Sequence, residues 1–198
     1  GSEMCIRDSM SVHRSKGLEF PVVILTDLHK TFNADDFRRP VLVHPRLGLS
    51  TERVDREKRI RYDTVTKTAV AAALTRESKS EEMRILYVAL TRAKEKLICV
   101  QCMAHGRKRL GDLSVLADMP TPPEAVAAVN CPGDWLLLAL LSTYQAGVFH
   151  DYTGVRPAVL YDGPEGLTMR LHRISGEEDG GEAGTDEEAV YTGGDYFA

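Results

Sequence analysis

The sequence predicts an α/β fold built on a parallel sheet, and three observations carry that prediction. "PVVILTDL" (Pro21–Leu28) is a β-branched run without polar alternation, as expected of a strand buried on both faces of a parallel sheet. "LICVQCM" (Leu97–Met103) is a second strand-like run, and a long alanine-rich helical stretch separates the two. The resulting order of strand, loop, strand, helix, strand belongs to open α/β sheets, which gather ligands at the carboxyl ends of their strands.

Taken in order, "GSEMCIRDS" has no periodicity, and residues 1–9 read as a cloning or sequencing remnant outside the fold. Met10–His13 reads as a strand end and "RSKGLEF" as the loop that leaves it. Pro21 opens the apolar strand, where its missing N–H does least harm. His29–Arg61 is irregular and charged, with a short strand at Val41–His44 and a turn at Leu47–Gly48. A helical region starts near Thr64, pauses at Ser78–Ser80 and resumes as "SEEMRILYVALTRAKEKL", with Ser80 as N-cap and acids in the first turn. On a wheel of Glu81–Leu97, Met83, Leu86, Tyr87 and Leu90 form one apolar stripe. Ile85, Val88 and Ala89 form a second, which Arg92 continues. After "LICVQCM", Pro120–Tyr144 suggests a connector and two short helices split at Cys131-Pro132-Gly133, and "AVLYDGPEGLTMRLHRI" reads as a hairpin.

Composition narrows the function classes. An apolar content of 43% and a charged content of 27% are those of a soluble globular protein, and the expected location is cytoplasmic. The densest apolar run, Trp135–Leu141, is far short of the roughly 20 residues a membrane span needs, and Ile6 stands alone where a signal peptide needs an apolar stretch. Four cysteines are too few and too scattered for a disulfide scaffold. Cys99 and Cys102 have no second pair to complete a metal site, so they read as small buried hydrophobes and no metal ligands are assigned. The net charge of −4 conceals a division: residues 176–198 hold eight acids and no Lys or Arg, leaving a body with 25 basic and 21 acidic residues. The tail reads as a disordered acidic linker, and the mildly basic body permits nucleic-acid contact.

Chemistry concentrates in two segments. Around Gly17, which suits positive φ or close approach to a ligand, Lys16 offers a point charge for phosphate and Glu19 an acceptor for a sugar hydroxyl. An ordinary turn explains the same residues. Arg92, on a largely apolar helix, is either a planar fork for phosphate oxygens or an arginine paired locally or reaching solvent. Spacing leaves both pairs of alternatives open.

"SVHRSKGLEFPVVIL" resembles motif V, and "EEMRILYVALTRAKEKL" motif VI, of the UvrD/RecB-like superfamily 1 DNA helicases. The intervening "LHKTFNADDFRRPVLVHPRLGLSTERVDREKRIRY" is similar to the AddA helicase/nuclease branch of that family. The resemblance covers about Met10–Val100. It implies a partial RecA-like, P-loop NTPase-type parallel sheet with flanking helices over residues 10–118, the later part of a second RecA-like domain. A small α+β extension would follow at 119–175, then the acidic tail. The implied function is part of an ATP-dependent DNA helicase acting in double-strand-break repair and recombination. Arg92 is implied as the catalytic arginine finger, contacting the γ-phosphate. Lys16 and Gly17 would lie beside the ATP phosphates and Glu19 at the ribose, with His13, Arg14 and Ser15 facing single-stranded DNA. The implied partners are single-stranded DNA, duplex ends and an AddB-like nuclease subunit, and the implied cofactor is ATP with Mg²⁺. Nothing in the 198 residues matches G-x-x-x-x-G-K-[ST], and no acidic strand end suits Mg²⁺, so the chain alone is expected to be inactive. A standalone, non-catalytic DNA- or protein-binding module is the alternative.

Overall fold

The structure is a computed structural model that describes residues 9–117, 121–173 and 190–191. The chain divides into two compact units, one running to Gln101 with Asn130–Pro132, the other formed by Cys102–Val129 and the chain from Gly133. The acidic tail and residues 1–8 lie outside the described residues, apart from the short strand at 190–191.

In the first unit, β1 (Phe20–Leu25) pairs in parallel with β5 (Ala93–Cys99), with Phe20 opposite Ala93 and Leu25 opposite Cys99. The register slips between Phe20 and Val22, where Pro21 removes a ladder donor. The parallel pairing is as expected, but its burial is not. Val22 and Ile24 are 50% and 58% exposed, so one sheet face is open where the apolar run suggested two covered faces. Residues 12–17 form a turn rather than a strand end, and they precede β1. The polar loop therefore sits at the amino ends of the parallel strands, not at their carboxyl ends.

Between the parallel strands lies an antiparallel sheet of β2 (Val41–His44), β3 (Gly48–Asp55) and β4 (Ile60–Asp63). β2 was legible in the sequence; β3 and β4 were not. Their connecting turn has no glycine. Asp55 Oδ1 instead accepts the N–H groups of Glu57 (3.1 Å) and Lys58 (3.0 Å), and Arg59 takes φ +54°.

α1 (Val65–Leu90) is one continuous helix, capped by Thr64, whose side chain accepts the N–H of Lys67. There is no pause at Ser78–Ser80. α1 packs on β2 and β3 and buries Lys67, Val70, Leu86 and Ala89. Lys67 Nζ lies 2.8 Å from Glu52 Oε1 and 2.7 Å from Asp63 Oδ1, joining the first turn of α1 to β3 and β4. The same side of the sheet buries His44. Its Nδ1 accepts the N–H groups of Arg46 and Leu47, each at 3.1 Å, so Nε2 carries the proton facing Glu77 Oε1 at 3.2 Å.

The helix ends at Leu90, seven residues before the wheel's limit, because Ala93 onward is drawn into the ladder with β1. Two expectations fall with it. Arg92 follows the helix rather than lying on its face, and Tyr87, read as core, is 67% exposed. Cys99 and Cys102 are exposed as well, leaving only Cys131 of the three described cysteines buried.

The second unit contains α2 (Gly106–Leu116), α3 (Pro123–Ala128), α4 (Pro132–Leu140), which starts in the first unit, and α5 (Gly147–Thr153). The two short helices flanking Cys131 are as expected, while α2 and α5 escaped notice. Trp135 is buried, and its Nε1 donates to the Val126 carbonyl at 2.9 Å. His150 Nε2 donates to the Leu141 carbonyl at 2.7 Å. The expected hairpin over 158–174 does not form. Tyr161 instead bridges in parallel to Thr143, and β6 (Met169–Arg170) pairs antiparallel with β7 (Val190–Tyr191).

Candidate functional site

The site grows from a helix end. The last carbonyls of α1 have no intrahelical partner, and a cation is favoured there by the helix dipole. Thr91 and Arg92 meet both demands. Thr91 Oγ1 lies 3.0 Å from the carbonyls of both Tyr87 and Val88, and Arg92 Nε donates to the Val88 carbonyl at 2.9 Å. The guanidinium then reaches across 74 residues of sequence, where Nη1 donates to the Leu18 carbonyl at 3.0 Å. The backbone repeats the link: Phe20 N–H donates to the Arg92 carbonyl at 2.9 Å. Nη2 contacts Thr91 Oγ1 at 3.2 Å. Three of the five guanidinium N–H donors thus hold the plane in place, and among the described residues two remain for a ligand.

Opposite this arginine, residues 11–18 form a tight turn. Arg14 N–H and Ser15 N–H donate to the Ser11 carbonyl (3.0 and 3.2 Å), and Leu18 N–H closes onto the Ser15 carbonyl (3.0 Å). Ser15 is buried and its Oγ donates to the Val12 carbonyl at 2.8 Å, so its hydroxyl serves the turn. His13, Arg14, Lys16 and Glu19 are exposed around it. Gly17 has φ +82°, and no atom lies within 4 Å of the place a Cβ would occupy. Its glycine answers a backbone requirement rather than a crowded one.

The structure therefore brings the two segments together at the amino ends of β1 and β5, with Arg92 fastened directly to the loop through Leu18. Glu19 has a neighbour the sequence did not suggest: Lys94 Nζ lies 3.3 Å from its Oε2, both side chains well exposed. Lys94 follows Ala93, which stands opposite Phe20, so only the strand register reveals this pair. An exposed pair of this kind is weak and yields readily to a ligand. Among the described residues no group of three or more His, Cys, Asp or Glu could hold a metal ion. The arrangement presents Lys16, Arg14 and Arg92 to an anion and leaves Glu19 as a hydrogen-bond acceptor.

Residues 8–103 match the profile of the UvrD-like helicase C-terminal domain. The chain is 40% identical over 176 residues to the ATP-dependent helicase/nuclease AddA protein of Heliobacterium modesticaldum, covering 86% of the chain and 13% of that relative. A protein of the same name from Clostridium novyi is 58% identical over 89 residues (45% of the chain, 7% of the relative). One from Clostridium botulinum is 43% identical over 144 residues (72% and 11%). The matches thus span only 7% to 13% of the length of these relatives.

Proposed function

Residues 8–103 are a UvrD-like helicase C-terminal domain, and from that premise we propose that the chain is part of an ATP-dependent DNA helicase/nuclease of the AddA kind, contributing one wall of its ATP cleft. The observation that carries this reading is the hydrogen bond from Arg92 to the Leu18 carbonyl, which holds the arginine and the Lys16–Glu19 loop as one unit. In that reading Arg92 is the catalytic arginine. Its fixed plane and two uncommitted N–H groups suit the equatorial oxygens of a transferring phosphoryl group, where charge accumulates in the transition state. Lys16 adds a point charge near the phosphates, Gly17 gives the loop its turn, and the exposed Glu19 exchanges Lys94 for ribose hydroxyls. His13 and Arg14 face single-stranded DNA from the other side of the same turn, with Ser15 supporting it from within. A change at the nucleotide would then reach the DNA-facing residues through a turn of eight residues, Ser11 to Leu18.

ATP brings Mg²⁺ to such a site. The cationic donor set here fits the phosphates, and we assign the metal's ligands and the P-loop to segments beyond this sequence. The open face of β1, with Val22 and Ile24 exposed, supports the same view: a parallel strand pair is stable when both faces are covered, as in a larger RecA-like sheet. An AddB-like partner, a role in double-strand-break repair and a cytoplasmic location follow from the same assignment. The test is ATP turnover by the purified 198-residue chain with and without single-stranded DNA. We expect none above background. Sustained turnover that persists through further purification would refute the division of the site.

A further inference from the structure

A second anion-binding feature lies in the other unit and shares no residue with the first. An open cleft of about 640 Å³ is lined by His105, Gly106, Arg107 and Lys108 at the start of α2, by Tyr152 of α5 and by Arg173. Its lining holds three permanent cations and a histidine, and no carboxylate. The nearest acid in sequence to Tyr152, Asp151, is engaged with Arg156 at 3.0 Å. Arg107 is held in a defined orientation, its guanidinium carbon 5.0 Å from the centre of the Tyr152 ring. The first turn of α2 contains no acidic residue to offset these charges.

We propose that this cleft binds the phosphodiester backbone of single-stranded nucleic acid without regard to base sequence. Like charges are gathered at a cost in mutual repulsion, which a polyanion relieves. The cations come from two distant segments, 105–108 and 173, and they line an open trough rather than a closed cage. Such a trough suits a chain of phosphates passing through better than a single small anion. The lining has no Asn, Gln or Asp to read base edges, so binding depends on phosphate contacts and on salt. The site goes beyond the ATP-cleft reading and does not depend on it.

The experiment is fluorescence anisotropy of the 198-residue chain with a fluorescein-labelled oligo(dT) of about twenty nucleotides over a sodium chloride series. Removing two phosphate contacts in the double variant Arg107→Ala/Lys108→Ala is expected to reduce the slope of log K against log salt by about 1.4, at roughly 0.7 per contact on a single strand. Affinity at low salt should fall at least about tenfold. Arg173→Gln, on the other segment and exposed, should lower the slope by about 0.7. Circular dichroism should match the parent for both. The paired variant His13→Ala/Arg14→Ala separates the two readings: loss of binding there, with the Arg107/Lys108 variant unchanged, overturns this inference and leaves the ATP-cleft reading standing. No binding by the parent chain overturns it too, as does an unaltered salt slope. Displacement of the oligonucleotide by equimolar inorganic pyrophosphate would show a small-anion site and would equally refute it.

Discussion

Gly17 lets the requirement of the backbone be separated from the requirement of a ligand. Its φ of +82° lies in the left-handed region, and a Cβ there would meet nothing within 4 Å. Gly17→Ala therefore has no steric cost within the protein, only a conformational one. Holding an L-residue in that region costs about 1–2 kcal/mol. Restricting the unfolded chain returns about 0.4–1 kcal/mol. The net destabilisation is roughly 0.5–1.5 kcal/mol by that difference, or a loss of about 0.5 M in urea midpoint for 1 kcal/mol at a typical slope near 2 kcal/mol/M. Asparagine visits this region readily, so Gly17→Asn should regain most of the loss. Equilibrium urea unfolding of the three proteins reads this directly. If alanine stabilises the chain, or asparagine does no better than alanine, the φ argument is wrong. A Gly17→Asn enzyme that is stable yet impaired in DNA-stimulated ATP turnover would assign the glycine to ligand clearance instead.

Two further outcomes follow. The partners Asp63 and Glu52 raise the Lys67 pKa above the ordinary lysine range, the hydrogen bond from Lys67 to Asp63 contributing most. A raised folded-state pKa gives stability that is fully present below the unfolded value, about 10.4, and lost as pH rises through the folded value. Lys67→Met should therefore be clearly less stable than the parent at pH 7, with the gap narrowing above about pH 10.4; a gap constant across that range would remove the ion trio from the account. On the open sheet face, Ile24→Lys should leave the 198-residue chain folded and more soluble, because the side chain is already 58% exposed. In the full-length protein the same change should lower the melting temperature, and equal tolerance in both would argue against a larger sheet.

How much was legible depended on how local each signal was. β1, β2 and the start of α1 at its Thr64 cap were readable because apolar runs and a capping residue declare themselves locally. The end of α1 was not. Ala93–Cys99 reads as a continuation of the helix, and only pairing with β1, about seventy residues away, converts it to strand. That conversion also changed Arg92 from a residue on a helix face to one beyond the helix end. β3 and β4 were hidden by charge: a strand whose residues are all exposed, such as β4, has no apolar alternation to find. Tyr87 misled for a related reason, since an aromatic at helical spacing suggests core wherever the partner surface is assumed to be present. The candidate site residues could be named from motifs, but their contacts could not. Neither the Arg92 bond to the Leu18 carbonyl nor the Glu19–Lys94 pair has any signature in sequence spacing.

The central claim is that Arg92 acts on the phosphates of ATP, and the full-length protein offers the most direct measurement. With single-stranded DNA saturating, Arg92→Ala should reduce ATP turnover by at least about a thousandfold, the scale on which arginine fingers act. DNA affinity should stay within about twofold of the parent by the same estimate of a purely phosphate-facing role. Arg92→Lys should fail to restore turnover, because an ammonium cannot reproduce the planar fork that Val88 and Leu18 hold in place. Unchanged turnover in a folded Arg92→Ala enzyme would contradict the account and leave this arginine as a helix cap that ties α1 to the loop.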